Sequence, residues 1–129
     1  MSLDAALGWL WKLLSLARSV KVHCHVGHLE HRNVDCFFVR VTNASPFRKV
    51  VVTEVWFDAG TRIPVINAER PMPKVLPPEE VWETWIPIAN IPQHLHAQAP
   101  TLARAKLSDG TIIPSVPTPD VSPAGFVAG

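Results

Sequence analysis

Hydrophobic and polar positions follow two different patterns along the chain, and the change falls near residue 18. From Leu3 to Ala17 the apolar residues recur at helical spacing and cover most of the circumference of the helix they predict. After Arg18 the period shortens to two residues, which is typical of β-strands with one buried face. We therefore expect an apolar N-terminal α-helix (residues 1–18) followed by a β domain (residues 19–116).

The predicted helix has more apolar surface than a single contact needs. Its polar stripe is narrow and consists of Asp4, Gly8, Lys12 and Ser15. A helix that packs once on a domain needs an apolar stripe of a little over ~100°, so packing on the β domain alone would leave apolar side chains in water. We predict an interface with a second copy of the chain or with another protein, formed by Leu3, Leu7, Trp9, Leu10, Trp11, Leu13, Leu14 and Leu16.

Membrane interpretations of the same segment are less well supported. A secretory signal would begin with basic residues, but the chain has Asp4 there, and Lys12 interrupts the apolar run. A stable membrane span needs ~20 apolar residues, whereas Arg18 ends this run earlier. An interfacial helix normally carries several basic residues on its polar face, and Lys12 is the one present here. A membrane-surface adaptor is therefore an alternative function.

The β domain is predicted from alternation and from its turns. Strands are expected over residues 19–27, 35–43, 49–60, 63–66, 81–88, 101–107 and 111–115. In the third of these the inward residues are Val50 and Val52, then Val55 and Phe57, and the skipped position predicts a β-bulge near Thr53. About seven short strands with no α/β alternation predict an all-β fold, an immunoglobulin-like antiparallel β-sandwich. A proline-rich tail (residues 117–129) follows.

Several stretches of the β domain resemble a known group of proteins. The segments FFVRVTNASPFRKVVVTEVWF, LPPEEVWETW and ARAKLSDGTIIPS resemble small bacterial proteins of unknown function that have an immunoglobulin-like sandwich. The resemblance covers about residues 34–116 and rests on structural motifs. It implies the sandwich fold and carries over no catalytic residue.

Composition and motifs favour a binding role over catalysis. The formal net charge of +1 provides no strong field for nucleic acid, and no recognition helix is evident. Nucleophile-elbow, phosphate-loop and zinc-protease motifs are not found, so neither an enzyme nor a cofactor is predicted. We expect a non-enzymatic protein–protein interaction or structural accessory module.

Trp82 and Trp85 are three residues apart in one predicted strand, so their side chains point to opposite faces of the sheet. One of them must therefore be covered from outside the sandwich, and the N-terminal helix is the natural cover.

The first two strands carry a cluster of histidine and cysteine. In an antiparallel pair, the numbers of opposite residues add to a constant, and this constant must be odd if both apolar faces point inward. With a constant of 61, His25 lies opposite Cys36 and His23 lies opposite Phe38. The three side chains His23, His25 and Cys36 then converge, which makes a metal-binding accessory protein the second alternative. The same alternation puts Cys24 and Cys36 on opposite faces, so no disulfide is expected, and a cytoplasmic location follows.

Overall fold

The computed structural model describes residues 19–118, which form two β-sheets with a common core between them. A four-stranded sheet has the order β6-β2-β1-β9, and a five-stranded sheet has the order β4-β3-β7-β8 with β5 also paired to β3. The nine strands of the described part are β1 Val20–Leu29, β2 Val34–Asn43, β3 Val50–Asp58, β4 Arg62–Pro64, β5 Lys74–Leu76, β6 Val81–Pro87, β7 Ala103–Leu107, β8 Ile112–Pro114 and β9 Val116–Pro117. The all-β prediction is confirmed, whereas the predicted helix (1–18) lies outside the described residues.

Alternating apolar residues from both sheets build the core. Val22 and Val39 from the four-stranded sheet and Phe57 from the five-stranded sheet are at most 2% exposed. Trp82 belongs to this core and Trp85 does not, as their parity predicts. Burying side chains of this size contributes roughly 1.5–3 kcal/mol each, so the inward stripes dominate the stability of the fold.

The predicted β-bulge is present in β3. Val52 pairs with Leu107, and the next pair is Glu54 with Lys106, so Thr53 is the extra residue. The Thr53 hydroxyl donates a hydrogen bond to the Lys106 carbonyl at 3.1 Å, which holds the bulge in place. On the other side of β3, β5 pairs with residues 50–52 and β4 with residues 56–58. The bulge therefore faces a gap between these two short strands.

Residues 65–73 leave the five-stranded sheet and cross to the edge of the other one. The Asn67 amide lies 3.4 Å from the Thr84 hydroxyl, and the Arg70 Nε donates to the Glu83 carbonyl at 3.0 Å. The chain then returns to β3 as β5, inside a stretch that the proline content predicts to be irregular. We call residues 65–73 the crossing segment.

The chain also changes sheets between β8 and β9. Ser115 is buried at this point; its hydroxyl donates to the Pro100 carbonyl at 2.7 Å and accepts from the Ala103 amide at 3.1 Å. β9 then pairs with β1 in parallel, at His23 and Cys24. The prediction of a purely antiparallel sandwich is therefore wrong at this edge, because the strand switch brings the chain back beside β1 running in the same direction.

Three short 3₁₀ helices, Ile88–Asn90, Gln93–Leu95 and Ala99–Thr101, connect β6 to β7. No helix within residues 19–118 has the length and apolar character needed to cross a bilayer.

Candidate binding face on the four-stranded sheet

A row of aromatic side chains crosses the outer face of the four-stranded sheet. His25 of β1, Phe38 of β2 and Trp85 of β6 are neighbours in the strand register. The His25 and Phe38 rings stack with centroids 5.4 Å apart and planes 13° apart, and the Phe38 and Trp85 centroids are 5.8 Å apart. We call these three residues the aromatic row. Outward positions of a sandwich are usually polar, so this face is unusual in composition.

Gly27 makes this arrangement possible. A Cβ atom at position 27 would lie 2.8 Å from Cε1 and 2.9 Å from Cδ1 of Phe38. The Phe38 ring therefore rests on the backbone of β1, which lets it reach His25. A larger residue at position 27 would push the ring away from the sheet.

A charged pair lies along one side of the row. The Arg40 Nε lies 3.6 Å from a Glu83 carboxylate oxygen, and these two residues are register neighbours on β2 and β6. Burial is the main reason that the pKa of His25 falls below its usual value; Glu83 opposes this effect and Arg40 adds to it. His25 Nδ1 and Glu83 Oε2 are buried and form no hydrogen bond with the described residues.

The opposite side of the row is apolar, and the crossing segment packs on its Trp85 end. Leu29, Cys36 and Trp85 form a small buried cluster separate from the core. The Arg70 guanidinium lies 4.7 Å from the Trp85 ring centroid, a cation–π contact. Arg70 comes from a stretch predicted to be irregular, so sequence reasoning missed it. The Arg70-Pro71 pair within this stretch gives no signal of a contact with β6.

A charged cluster of His31, Arg32 and Glu69 lies beside Trp85. The Glu69 carboxylate accepts from His31 at 3.0 Å and from Arg32 at 2.7 Å. The hydrogen bond from Arg32 is the main reason that the pKa of Glu69 lies below its usual value. His31 also meets the Trp85 ring edge-on, with centroids 6.4 Å apart. The β1–β2 turn and the crossing segment are thus joined beside the aromatic row.

The structure places the predicted metal ligands differently from the sequence prediction. β1 and β2 pair at positions that sum to 63, so His23 lies opposite Arg40, His25 opposite Phe38 and Cys36 opposite Gly27. The predicted sum of 61 is wrong by two residues. Both strand registers, with sums of 61 and 63, keep the apolar residues inward. The four-residue turn from Glu30 to Asn33 selects the register with the sum of 63. Within residues 19–118 no three His, Cys, Asp or Glu side chains are grouped as metal ligands would be.

Both cysteines are free, and they lie on opposite faces of the sheet as the alternation predicts. Cys24 belongs to the core, where burial raises its pKa to about 12. Cys36 belongs to the outer cluster; burial raises its pKa, and the charge of Asp35 adds to the effect. Neither thiol is activated as a nucleophile.

Comparison of the chain with protein-family models, with curated proteins and with solved structures finds no match. The resemblance to bacterial immunoglobulin-like proteins therefore stays a prediction. The predicted interface residues Leu3, Leu7, Trp9, Leu10, Trp11, Leu13, Leu14 and Leu16 lie outside the described residues.

Proposed function

We propose that this protein is a non-enzymatic protein–protein interaction module whose contact surface is the outer face of the four-stranded sheet together with the apolar N-terminal residues. The aromatic row is the observation that carries the proposal. Protein interfaces are enriched in aromatic residues and arginine, with charged pairs at the rim. Here His25, Phe38 and Trp85 occupy the middle of the face, with Arg40 and Arg70 beside them.

The position of the N-terminal residues supports joining them to this face. Leu3–Ala17 directly precede β1, the strand that carries His25. As a helix these 15 residues would extend roughly 22 Å, comparable with the ~20 Å span of a four-stranded sheet. One flank would cover the aromatic row, and the other, with Trp9 and Leu16, would be free for a second copy or another protein. A second copy of this chain is the partner that we propose.

Two further aspects of the proposal concern fold type and location. We assign the sandwich to the immunoglobulin-like class, which the two-sheet architecture and the core tryptophan Trp82 support. We place the protein in the cytoplasm, where the two free thiols Cys24 and Cys36 suit a reducing environment.

The oligomer is tested by Trp9→Glu combined with Leu16→Glu in the full-length chain. Light scattering over a range of micromolar concentrations should show a dimer or larger species for the wild type and a monomer for the variant. Far-UV circular dichroism should be unchanged. The matched control is Gly8→Glu with Ser15→Glu, which adds the same charge on the predicted polar stripe and should leave the oligomer intact. A wild type that is monomeric at every concentration would overturn the proposed partner.

The contact face is tested separately by photo-crosslinking. A benzoylphenylalanine at position 23, on the outer face of β1, should crosslink to peptides from residues 1–18. The same group at position 112, on β8 of the other sheet, should not. Crosslinks from both positions, or from neither, would contradict the proposed face.

The alternatives have their own readouts. Co-sedimentation with anionic liposomes that is lost in Trp9→Glu/Leu16→Glu would favour a membrane-surface adaptor over a dimer. Stoichiometric zinc or copper in the purified protein, lost in His23→Ala and His25→Ala, would favour a metal-binding accessory protein.

A further inference from the structure

A cavity of about 420 Å³ opens on the five-stranded sheet, and none of its lining residues belongs to the aromatic row. It lies where β3 has no strand partner between β5 and β4, and where the crossing segment turns away toward β6. Its volume is within the range of about 300–1,000 Å³ that is typical of small-molecule sites. The β-bulge at Thr53 borders this cavity, a position that bulges commonly take beside binding sites.

The interior of the cavity is apolar. Val55 and Val65 belong to the hydrophobic core, and Met72 packs against it, so the floor is built on a rigid base. Trp56 forms part of the wall and is 4% exposed. Ile66 lines the cavity and is 86% exposed, which extends the apolar surface outward to solvent. Such a site would accept an aliphatic or aromatic group.

Among the lining residues from positions 19–118, one is a cation. The Arg62 guanidinium stands 4.0 Å from the Trp56 ring centroid, and its Nη1 lies 3.4 Å from a Glu54 oxygen. This contact is long, and both side chains are about half exposed, so it is a weak ion pair. A guanidinium has five N–H donors, and this contact uses one of them. Arg62 is therefore able to bind a carboxylate while it stays on the Trp56 ring.

The neighbouring charges favour an anion at this position. Glu54 lies opposite Lys106 in the strand register, so its carboxylate has a second cation nearby if Arg62 turns to a ligand. Arg104 lies opposite Trp56, and Asp58 lies opposite Arg62. Arg62 and Glu54 are the charged residues among the described lining residues, and Lys106 beside Glu54 leaves the Arg62 guanidinium available to an anion.

We propose that this cavity binds a small amphipathic monocarboxylate, with its apolar chain or ring against Trp56 and Met72 and its carboxylate on Arg62. The site is separate from the aromatic row and does not depend on the proposed function. Binding forms no covalent bond and requires no cofactor.

Octanoate is the probe, titrated into the full-length protein and followed by ¹H–¹⁵N NMR and calorimetry. The amides of residues 53–56, 62, 63, 65 and 66 should shift with saturation. Arg62→Gln should weaken octanoate binding at least tenfold, because it removes the one cation among the lining residues in the described part of the chain. The matched control is Arg32→Gln, which removes an arginine that pairs with Glu69 and does not line the cavity, and it should change binding less than twofold.

A second variant tests the apolar contribution without threatening the fold. Ile66→Ser changes a side chain that is 86% exposed, so the protein should fold normally and bind octanoate several-fold more weakly. Octylammonium shifting the same amides as strongly as octanoate would overturn the assignment of an anionic ligand. Saturation with octanoate that leaves the amides of residues 53–56, 62, 63, 65 and 66 unshifted, or no binding at millimolar concentration, would overturn the site.

Discussion

Asn43, at the end of β2, is the most heavily bonded buried polar side chain that the structure describes. It is 0% exposed, and its Nδ2 lies within 2.7–3.1 Å of the carbonyl oxygens of Arg48, Leu76 and Pro77. Its Oδ1 accepts a hydrogen bond from the Ser45 amide at 3.1 Å. One side chain thereby joins the end of β2, the turn after it and the end of β5. The V-x-N ending of this strand is visible in the sequence, but the partners that explain it are not.

Replacing Asn43 should therefore destabilise the whole fold. Asn43→Ala leaves several buried backbone groups without a partner, at about 1–3 kcal/mol each, and we expect a total loss of about 3 kcal/mol. Urea denaturation measures the change in the free energy of unfolding. Asn90→Ala, at an exposed position, is the control and should stay within about 0.5 kcal/mol of wild type. A loss below about 1 kcal/mol for Asn43→Ala would show that water replaces the amide.

Gly27 and Phe38 should behave as a coupled pair. Gly27→Ala brings a Cβ to 2.8 Å from the Phe38 ring, so the ring must move off His25, and we expect a loss of about 1–2 kcal/mol. In a Phe38→Ala background the clash is gone, and the same change should be neutral or slightly stabilising, since alanine suits a strand better than glycine. A double-mutant cycle by urea denaturation measures the coupling. Additive effects of the two substitutions would contradict the close packing.

At the scale of elements, the β1–β2 hairpin carries a pH-dependent contact beside its turn. His28 Nδ1 lies 2.8 Å from the Asp35 carboxylate, and its Nε2 lies 3.2 Å from the Asn33 side-chain oxygen. The hydrogen bond to Asp35 is the main reason that the pKa of His28 is raised above its usual value of 6.5. The protonated form is therefore favoured by folding. The stabilisation from protonated His28 is complete below pH 6.5, and it disappears as the pH rises through the raised pKa that His28 has in the folded protein.

Asp35→Asn should reveal this dependence. The variant should be less stable than wild type at pH 5.5, and the difference should shrink as the pH rises toward 8.5, because the Asp35 contact favours protonated His28. Thermal or urea unfolding at the two pH values measures the difference in the free energy of unfolding. His25, whose pKa is lowered, is present in both proteins, so its contribution to the pH dependence cancels in the comparison. Asp109→Asn serves as the control, because Asp109 lies in the β7–β8 turn, where its carboxylate accepts from Thr111. A difference that grows with pH would contradict the proposed protonated pair.

The elements also show how far local pattern determines the fold. The inward stripes, the bulge at Thr53 and the opposite faces of Trp82 and Trp85 follow from alternation alone, and the structure confirms them. The pairing of His25 with Phe38 does not follow, because two registers satisfy the same alternation and the geometry of a turn selects one. β5 and β9 were also missed, since β5 lies in the proline-containing stretch predicted to be irregular and β9 lies where the proline-rich tail begins.

At the scale of the whole molecule, the reactivity of the two cysteines compares the stability of the core, which contains Cys24, with that of the outer cluster, which contains Cys36. Thiol titration of the unfolded, unreduced protein should find two free thiols, as their separate faces require. In the native protein at pH 8, alkylation should be slow at both, and faster at Cys36 than at Cys24. Cys24 belongs to the core and needs global opening, whereas Cys36 belongs to a small outer cluster. Mass spectrometry of the two peptides gives the rates, and faster labelling of Cys24 would contradict this order.

The parallel pairing of β1 with β9 sets how the molecule would respond to mechanical force. The chain enters the domain at the start of β1 and leaves it after β9, and the two strands run side by side in the same direction at His23 and Cys24. Tension applied between the two ends would pull these strands in opposite directions along their length, so their hydrogen bonds would be loaded in shear and would share the load. In an antiparallel terminal pair joined at one end, the bonds would instead open one after another. If the protein is tethered at both ends, the β1–β9 pair is the first contact to carry the load.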